Sequence, residues 1–179
     1  MSNRTVLFFC IVLFCACQKE PPIDFFKEDV TVEILDGKAR VTGVYYFENL
    51  TQIGKRIKFY YPFPVDSNHY FPENISIDRE FETDSAGIYF SLSLPPNCID
   101  SFKIIYEQRV RDRFFRYITT TTKAWRRSIK DANFTITAAE RLNISTNYTF
   151  PEPKIVDEYR KWTIRIANFF PEEDLILNW

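Results

Sequence analysis

Apolar and polar residues alternate with a period of two over most of this chain, a period that suits half-buried strands and not helices. Residues 30–34 (VTVEI) set the pattern. Asp36-Gly37 follows as a hairpin signal, because a tight turn needs positive φ, and residues 39–47 resume the alternation. Ile57, Phe59, Tyr61 and Phe63 fall on one face of a third strand. Pro62 and Pro64 lack N–H donors, so that strand should finish at a sheet edge or bulge. After a loop over 66–72 come Ile75 and Ile77, a turn at 84–87, and the cleanest run, Ile88, Phe90, Leu92 and Leu94. Pro95-Pro96-Asn97 stops it. Phe102, Ile104 and Tyr106 open the next strand, and residues 113–121, 134–136, 144–150, 159–166 and 175–179 supply the others. Residues 123–131 carry Trp125 and Ile129 at i, i+4, which suits a single helical turn or an ordered loop. About ten short runs broken by turn signals, rich in Ile, Val, Thr, Phe and Tyr, predict an all-β chain. The expected architecture is an antiparallel β-sandwich, immunoglobulin-like or larger.

The N-terminus has a different character. Arg4 precedes nine apolar residues, 6–14, and Cys15-Ala16-Cys17 leads into polar Gln18-Lys19-Glu20. A basic n-region, a short apolar run and a small residue before the cut describe a secretory signal. As a helix the apolar run reaches about 14 Å, against about 30 Å of bilayer hydrocarbon. The segment resembles a bacterial lipoprotein leader, whose lipobox here reads Phe14-Cys15-Ala16-Cys17. The resemblance implies cleavage after Ala16 and acylation of Cys17, and two acyl signals at one terminus hold a protein to a membrane. Gln18-Lys19-Glu20 also resembles the charged export signal of surface lipoproteins in Bacteroidetes-like bacteria. The expected organisation is a signal peptide over 1–16, a lipidated tether over 17–28 with Pro21-Pro22, and one β-sandwich domain over 29–179.

Removing 1–16 leaves 163 residues, a single-domain size. Hydrophobic residues make up 45% of the chain and aromatics 17%, enough for a core without disulfides. Arg4 leaves with the leader, so 22 basic residues face 24 acidic ones and the net charge becomes −2. That balance argues against a nucleic-acid partner. With Cys17 acylated, Cys98 has no intramolecular partner and is expected to be a small buried hydrophobe.

Residues 39–49 (ARVTGVYYFEN), 60–64 (YYPFP) and 171–179 (PEEDLILNW) are similar to stretches of vault/inter-alpha-trypsin-type sandwich domains. That resemblance implies a β-sandwich. No metal-dependent adhesion carries over.

The sharpest local feature is basic. Arg109, Arg111, Arg113, Arg116, Lys123, Arg126, Arg127 and Lys130 lie within 22 residues, with Asp112 as the only acid among them. On an extended strand Arg109, Arg111 and Arg113 would share one face. Arginine forks suit carboxylate or phosphate, and Tyr117 and Trp125 could add stacking. These residues are the candidate anionic-ligand site, a glycan carboxylate, lipid phosphate or acidic partner being its ligand. The competing reading is a solvated basic face paired with distant acids such as Glu152, Asp157 and Glu158. Tyr45, Phe47, Phe59, Tyr61, Phe90, Phe102, Tyr106 and Phe134 sit at strand period and read as core. Tyr70, Phe71, Trp125 and Trp179 remain for exposed stacking. Five asparagines, 49, 74, 133, 143 and 147, stand two residues before Ser or Thr. They would be glycan acceptors in a eukaryotic secreted protein, and strand and turn residues in a bacterial one. Asp84-Ser85-Ala86 resembles a short bacterial O-glycosylation motif.

For catalysis the residue types are sparse. His69 is the only histidine, so any nucleophile–histidine pair would have to use it, beside Ser67 or the distant Cys98. Multi-histidine metal sites are excluded, and four glycines, 37, 43, 54 and 87, build no phosphate-cradling loop. A carboxylate pair drawn from distant strands stays open. The expectation is a cell-envelope, membrane-anchored lipoprotein, periplasmic or cell-surface, acting as a non-catalytic binding or assembly module with no cofactor or metal and with an envelope protein or glycan as partner. The alternatives are a carbohydrate- or glycolipid-binding protein and a glycosidase-like enzyme. Intact mass of the protein from its native membrane should show an N-terminus at Cys17 carrying acyl mass, and Cys17→Ala should abolish that mass. An unacylated wild-type protein would exclude the anchor.

Overall fold

A computed structural model of the chain describes residues 22–179, so the leader and Cys17 lie outside the described residues. Thirteen strands are described: β1 Ile23–Leu35, β2 Lys38–Asn49, β3 Lys55–Pro62, β4 Glu73–Ile77, β5 Phe81–Thr83, β6 Gly87–Leu94, β7 Ile99–Arg109, β8 Phe114–Tyr117, β9 Ile129–Ala139, β10 Ser145–Thr146, β11 Lys154–Val156, β12 Tyr159–Phe169 and β13 Leu175–Asn178. One layer is a seven-stranded sheet in the order β11-β12-β9-β1-β2-β7-β4. The facing layer is two separate three-stranded sheets, β3-β6-β5 and β10-β13-β8. The all-β sandwich expected from the alternation is the fold.

The inner face of the large sheet carries Val30, Val32 and Ile34 from β1, Val41, Tyr45 and Phe47 from β2, Phe102, Ile104 and Tyr106 from β7, and Phe134 and Ile136 from β9, all buried. Ring contacts knit the layers: Phe59 lies 4.9 Å from Phe47 and 5.7 Å from Phe102, and Phe90 lies 4.7 Å from Phe102. Burying one such ring contributes about 1.5–3 kcal/mol. The β1–β2 hairpin closes on Asp36-Gly37, with Leu35 opposite Lys38. Gly37 takes φ +68°, a conformation that side chains disfavour. β3 ends at Pro62 on a sheet edge, as its prolines dictate.

Several expectations need correction. The tether does not extend to residue 28, because β1 begins at Ile23 and residues 23–25 are buried. The pattern was hidden by a bulge between Phe25 and Lys27, which breaks strict alternation while still turning Phe25 inward. The sheet is not wholly antiparallel, since β9 runs parallel to β1 with Val30 opposite Phe134. Alternation reports which face is buried and is blind to strand direction; the long connection between the two strands permits the parallel pairing. Residues 113–121 are not one strand: β8 stops at Tyr117 and a 3₁₀ helix, Thr120–Trp125, follows. Only Ser145 and Thr146 of the expected run 144–150 are strand. β5 and β11 are additional, three residues each, too short for a period to register. Cys98 is exposed in the turn after β6, where its carbonyl accepts from the Asn49 amide.

Four of the five sequon asparagines donate side-chain hydrogen bonds, Asn74 to Glu107 at 3.5 Å among them. The Asn49 side-chain nitrogen donates to the carbonyls of Ile53, Leu94 and Pro95, that of Asn133 to Asp29, and that of Asn147 to the Asp174 carbonyl.

Phe134 is fully buried, with Phe169 at 5.3 Å and Tyr148 at 6.0 Å. Phe134→Ala should destabilise the domain by about 3–5 kcal/mol, read as a lower urea midpoint at unchanged slope.

Candidate functional site

Because the facing layer is split, two strands present free edges to one another: β3 at the rim of one small sheet and β8 at the rim of the other. Between them opens a cleft of about 690 Å³. Its floor is Phe25 and Glu28 from β1, Tyr45 and Phe47 from β2 and Phe102 from β7. Ile57, Phe59 and Tyr61 of β3 form one wall, Tyr117 of β8 the other, and Thr121, Thr122, Ala124 and Trp125 of the 3₁₀ helix close one end. Size and lining match small-molecule sites, which are mostly apolar with a few convergent polar groups.

Glu28 is the decisive residue. It stands in register with Val30, Val32 and Ile34, so the strand places it on the inner face, where it is only 2% exposed. Its Oε1 has no hydrogen-bond partner among the described residues. The neighbouring lysines do not reach it: Lys27 pairs with Asp29 at 2.9 Å, and Lys130 with Asp24 at 2.8 Å. Burial, reinforced by the Asp29 charge, pushes the Glu28 carboxyl up to about 8. A second buried oxygen in the same lining, Thr122 Oγ1, is also without a partner.

Above the carboxyl lies a hydroxyl chain. Tyr45 Oη is 2.8 Å from Tyr61 Oη and 2.5 Å from Tyr117 Oη. Two hydrogen bonds among three hydroxyls consume two protons, so one O–H remains to donate elsewhere. Burial raises all three phenols, and the Glu28 charge adds to each. Gly43 makes room for this chain, because a Cβ there would lie 2.3 Å from Tyr45 Oη. Trp125 packs 6.0 Å from Phe25, 5.4 Å from Phe47 and 5.9 Å from Phe59, and so anchors the 3₁₀ helix over the floor.

No family model matches the sequence, and no curated protein is significantly similar to it. Solved structures are similar to it in fold. One, a "putative nutrient binding protein" from Legionella pneumophila, superposes with a TM-score of 0.63 at 13% identity, over 88% of this chain and 67% of that one. An M1 zinc metallopeptidase from Deinococcus radiodurans gives 0.52 at 10% identity, over 88% of this chain and 42% of that one. A two-domain M1 zinc metallopeptidase variant bound to L-tryptophan gives 0.53 at 10% identity, over 88% and 43%. This chain therefore spans less than half of each metallopeptidase chain, and at these identities the likeness is one of fold.

The residues singled out in the sequence divide. Tyr117 and Trp125 do come together, but inside the cleft and away from the arginines: Tyr117 is 4% exposed and Trp125 half-buried. Arg109, Arg111 and Arg113 do not share a strand face. β7 ends at Arg109, and Asp112 and Arg113 both take positive φ in a turn. Arg109 pairs with Glu73 at 2.7 Å, and Arg109 and Arg111 both lie against the exposed ring of Tyr70. Arg116 pairs with Asp66, Lys123 with Glu172 and Lys130 with Asp24. Arg126 caps the 3₁₀ helix in the left-handed conformation, and the neighbouring Arg127 is likewise engaged. Half of the basic run, Arg109, Arg116, Lys123 and Lys130, is thus held in ion pairs, with acids other than those expected. His69 is buried, bonded through Nδ1 to Asp66 and accepting at Nε2 from the Arg116 amide, so it clasps the 66–70 loop to β8. Glu28 does not stand out in the sequence, because Asp24, Lys27 and Glu28 together make residues 23–28 read as a polar tether. The available signal was its even spacing from Val30, Val32 and Ile34.

A second hollow of about 960 Å³ lies among Arg56, Lys58, Arg79, Glu80 and Glu82, charges of both signs along β3–β6. None of its lining atoms is a buried polar group without a partner, which is why the cleft is the stronger site.

The Glu28 carboxyl has a consequence for stability. Unfolded, it titrates near 4.5; folded, at about 8. Between those values only the native state keeps the proton, so stability falls as pH rises, by about 1.4 kcal/mol per unit for a fully uncompensated group. Glu28→Gln has no such proton. Melting curves should show the variant gaining on wild type from about pH 4.5 to about 8 and running parallel above. Curves parallel throughout would mean that Glu28 is solvated.

Proposed function

We propose that this protein is a membrane-anchored lipoprotein of the cell envelope whose sandwich domain is a non-catalytic binding module for a small, largely apolar ligand. One observation carries the binding reading: a buried carboxyl oxygen, Glu28 Oε1, and a buried hydroxyl, Thr122 Oγ1, both without a partner among the described residues, belong to side chains that line one aromatic-rich cleft. Unpaired buried polar atoms cost about 1–3 kcal/mol each, and a ligand that satisfies them recovers that cost on binding. A structural neighbour described as a nutrient binding protein fits the reading by analogy. The leader residues 1–17 support the anchor. Only five residues separate Cys17 from Ile23, so the domain would ride within about 20 Å of the acylated cysteine. Glycoside hydrolysis by a carboxylate pair needs a second acid facing the first, and Glu28 is the only carboxyl lining the cleft.

A competing surface reading rests on Tyr70, flanked by Arg109 and Arg111. A small-molecule screen read by tryptophan fluorescence separates the two. Ala124 is exposed at the mouth of the cleft, so Ala124→Trp should block entry without disturbing the core. Saturable binding that weakens at least tenfold in Ala124→Trp, at unchanged melting temperature, is the expected result. Binding that survives Ala124→Trp and is lost when Arg109, Arg111 and Arg113 are neutralised would move the site to the basic surface.

A further inference from the structure

We infer that the cleft takes an organic cation, a quaternary ammonium or alkylated amine, with its charge against Glu28 and its alkyl groups among the surrounding rings. This rests on the cleft being a ligand site and names the chemistry of what enters it. Three observations converge.

The first is charge. Of the groups lining the cleft only Glu28, once it gives up its proton, and Lys58 can carry a charge near neutral pH. Lys58 belongs to the rim: it is exposed on β3, and its ammonium sits 5.1 Å from the Tyr89 ring. The interior therefore offers one acid with no protein cation to answer it, and buried charges are otherwise paired. The second is the wall. Phe25, Phe47, Phe59, Phe102 and Trp125 line the same cleft as the carboxyl, and an aromatic lining favours a weakly hydrated cation, whose attraction to ring faces strengthens once water is excluded. An anion would meet the same carboxyl and rings without a buried donor cation. The third is proton balance. The groups in the field of Glu28 are Asp29 on its own strand and the phenols of Tyr45, Tyr61, Tyr117 and Tyr148. Burial leaves these phenols neutral at physiological pH, so none supplies a counter-charge. At neutral pH the empty site holds the Glu28 proton; an arriving quaternary ammonium replaces it, and that proton leaves to solvent. Binding then releases up to one proton and tightens as pH rises.

Isothermal titration of the full chain in detergent tests this with choline and with its uncharged carbon isostere, in which a tert-butyl group replaces trimethylammonium. The expected result is choline binding at least tenfold tighter than the isostere, with a heat that depends on buffer ionisation at pH 7 and a tenfold or greater loss in Glu28→Gln. The isostere binding as well as choline, with Glu28→Gln without effect and Ala124→Trp abolishing both, would overturn the cation while keeping the cleft. Failure of choline to bind at millimolar concentration would also overturn it. In that case the cleft reading falls as well only if the wider small-molecule screen is empty.

Discussion

A carboxyl on the inner face of a sandwich sheet is tolerated only where something relieves its desolvation, and the architecture around Glu28 is arranged by that constraint. Had the facing layer been one continuous sheet, β3 and β8 would pair and Glu28 would be sealed beneath them. The layer is split instead, and the split leaves the carboxyl at the floor of a cleft lined by phenols and rings. The hydroxyl chain of Tyr45, Tyr61 and Tyr117 spans the gap, replacing the missing backbone ladder between the small sheets by side-chain bonds of 2.8 and 2.5 Å. Backbone pairing would have fixed the two edges; side-chain bonds hold them while leaving volume between.

The same division explains why the outer face looks as it does. Along β2 and β7, residues that point away from the core form ion pairs. Glu107 is held at about 2, chiefly by its bond from Lys38 and then by Arg40. There a charge is answered by its neighbours across the ladder, the arrangement that sheet surfaces ordinarily adopt. Glu28 is the exception on the opposite face, and the contrast separates a structural acid from a candidate functional one.

Much of the fold was legible because burial on one face imposes a period of two, and residues 30–34, 39–47 and 88–94 keep that period without interruption. What was not legible follows from the same rule. A bulge at Phe26 broke the period and hid the first turn of β1 among tether-like residues. Direction of pairing leaves no trace in alternation, so the parallel β1–β9 contact could not be read. Side-chain charge was legible as a count and not as a geometry: eight basic residues lie close in sequence, but a turn at Asp112-Arg113 and a 3₁₀ helix disperse them, and four of them pair with Glu73, Asp66, Glu172 and Asp24. The candidate site is built from Phe25, Glu28, Tyr45, Tyr61, Tyr117 and Trp125, six positions on five elements up to a hundred residues apart. Two of them, Tyr117 and Trp125, stand out in the sequence as aromatic residues, but the fold turns them into the cleft and not onto a basic strand face.

The placement of Gly43 argues that the hydroxyl chain is specified and not incidental. Inner-face positions of β2 are otherwise filled by the side chains of Ala39, Val41, Tyr45, Phe47 and Asn49, and the space over residue 43 is taken by the Tyr45 ring. Glycine in a strand interior carries an entropic cost. That cost falls at the one position where a Cβ would strike Tyr45 Oη. A larger residue would displace that ring, and with it the Tyr45 hydroxyl that bonds to both Tyr61 and Tyr117 and so ties the two small sheets to β2. The glycine thus costs backbone freedom and in return holds the Tyr45 ring within reach of both neighbouring phenols, on the strand next to a carboxyl that itself destabilises the fold.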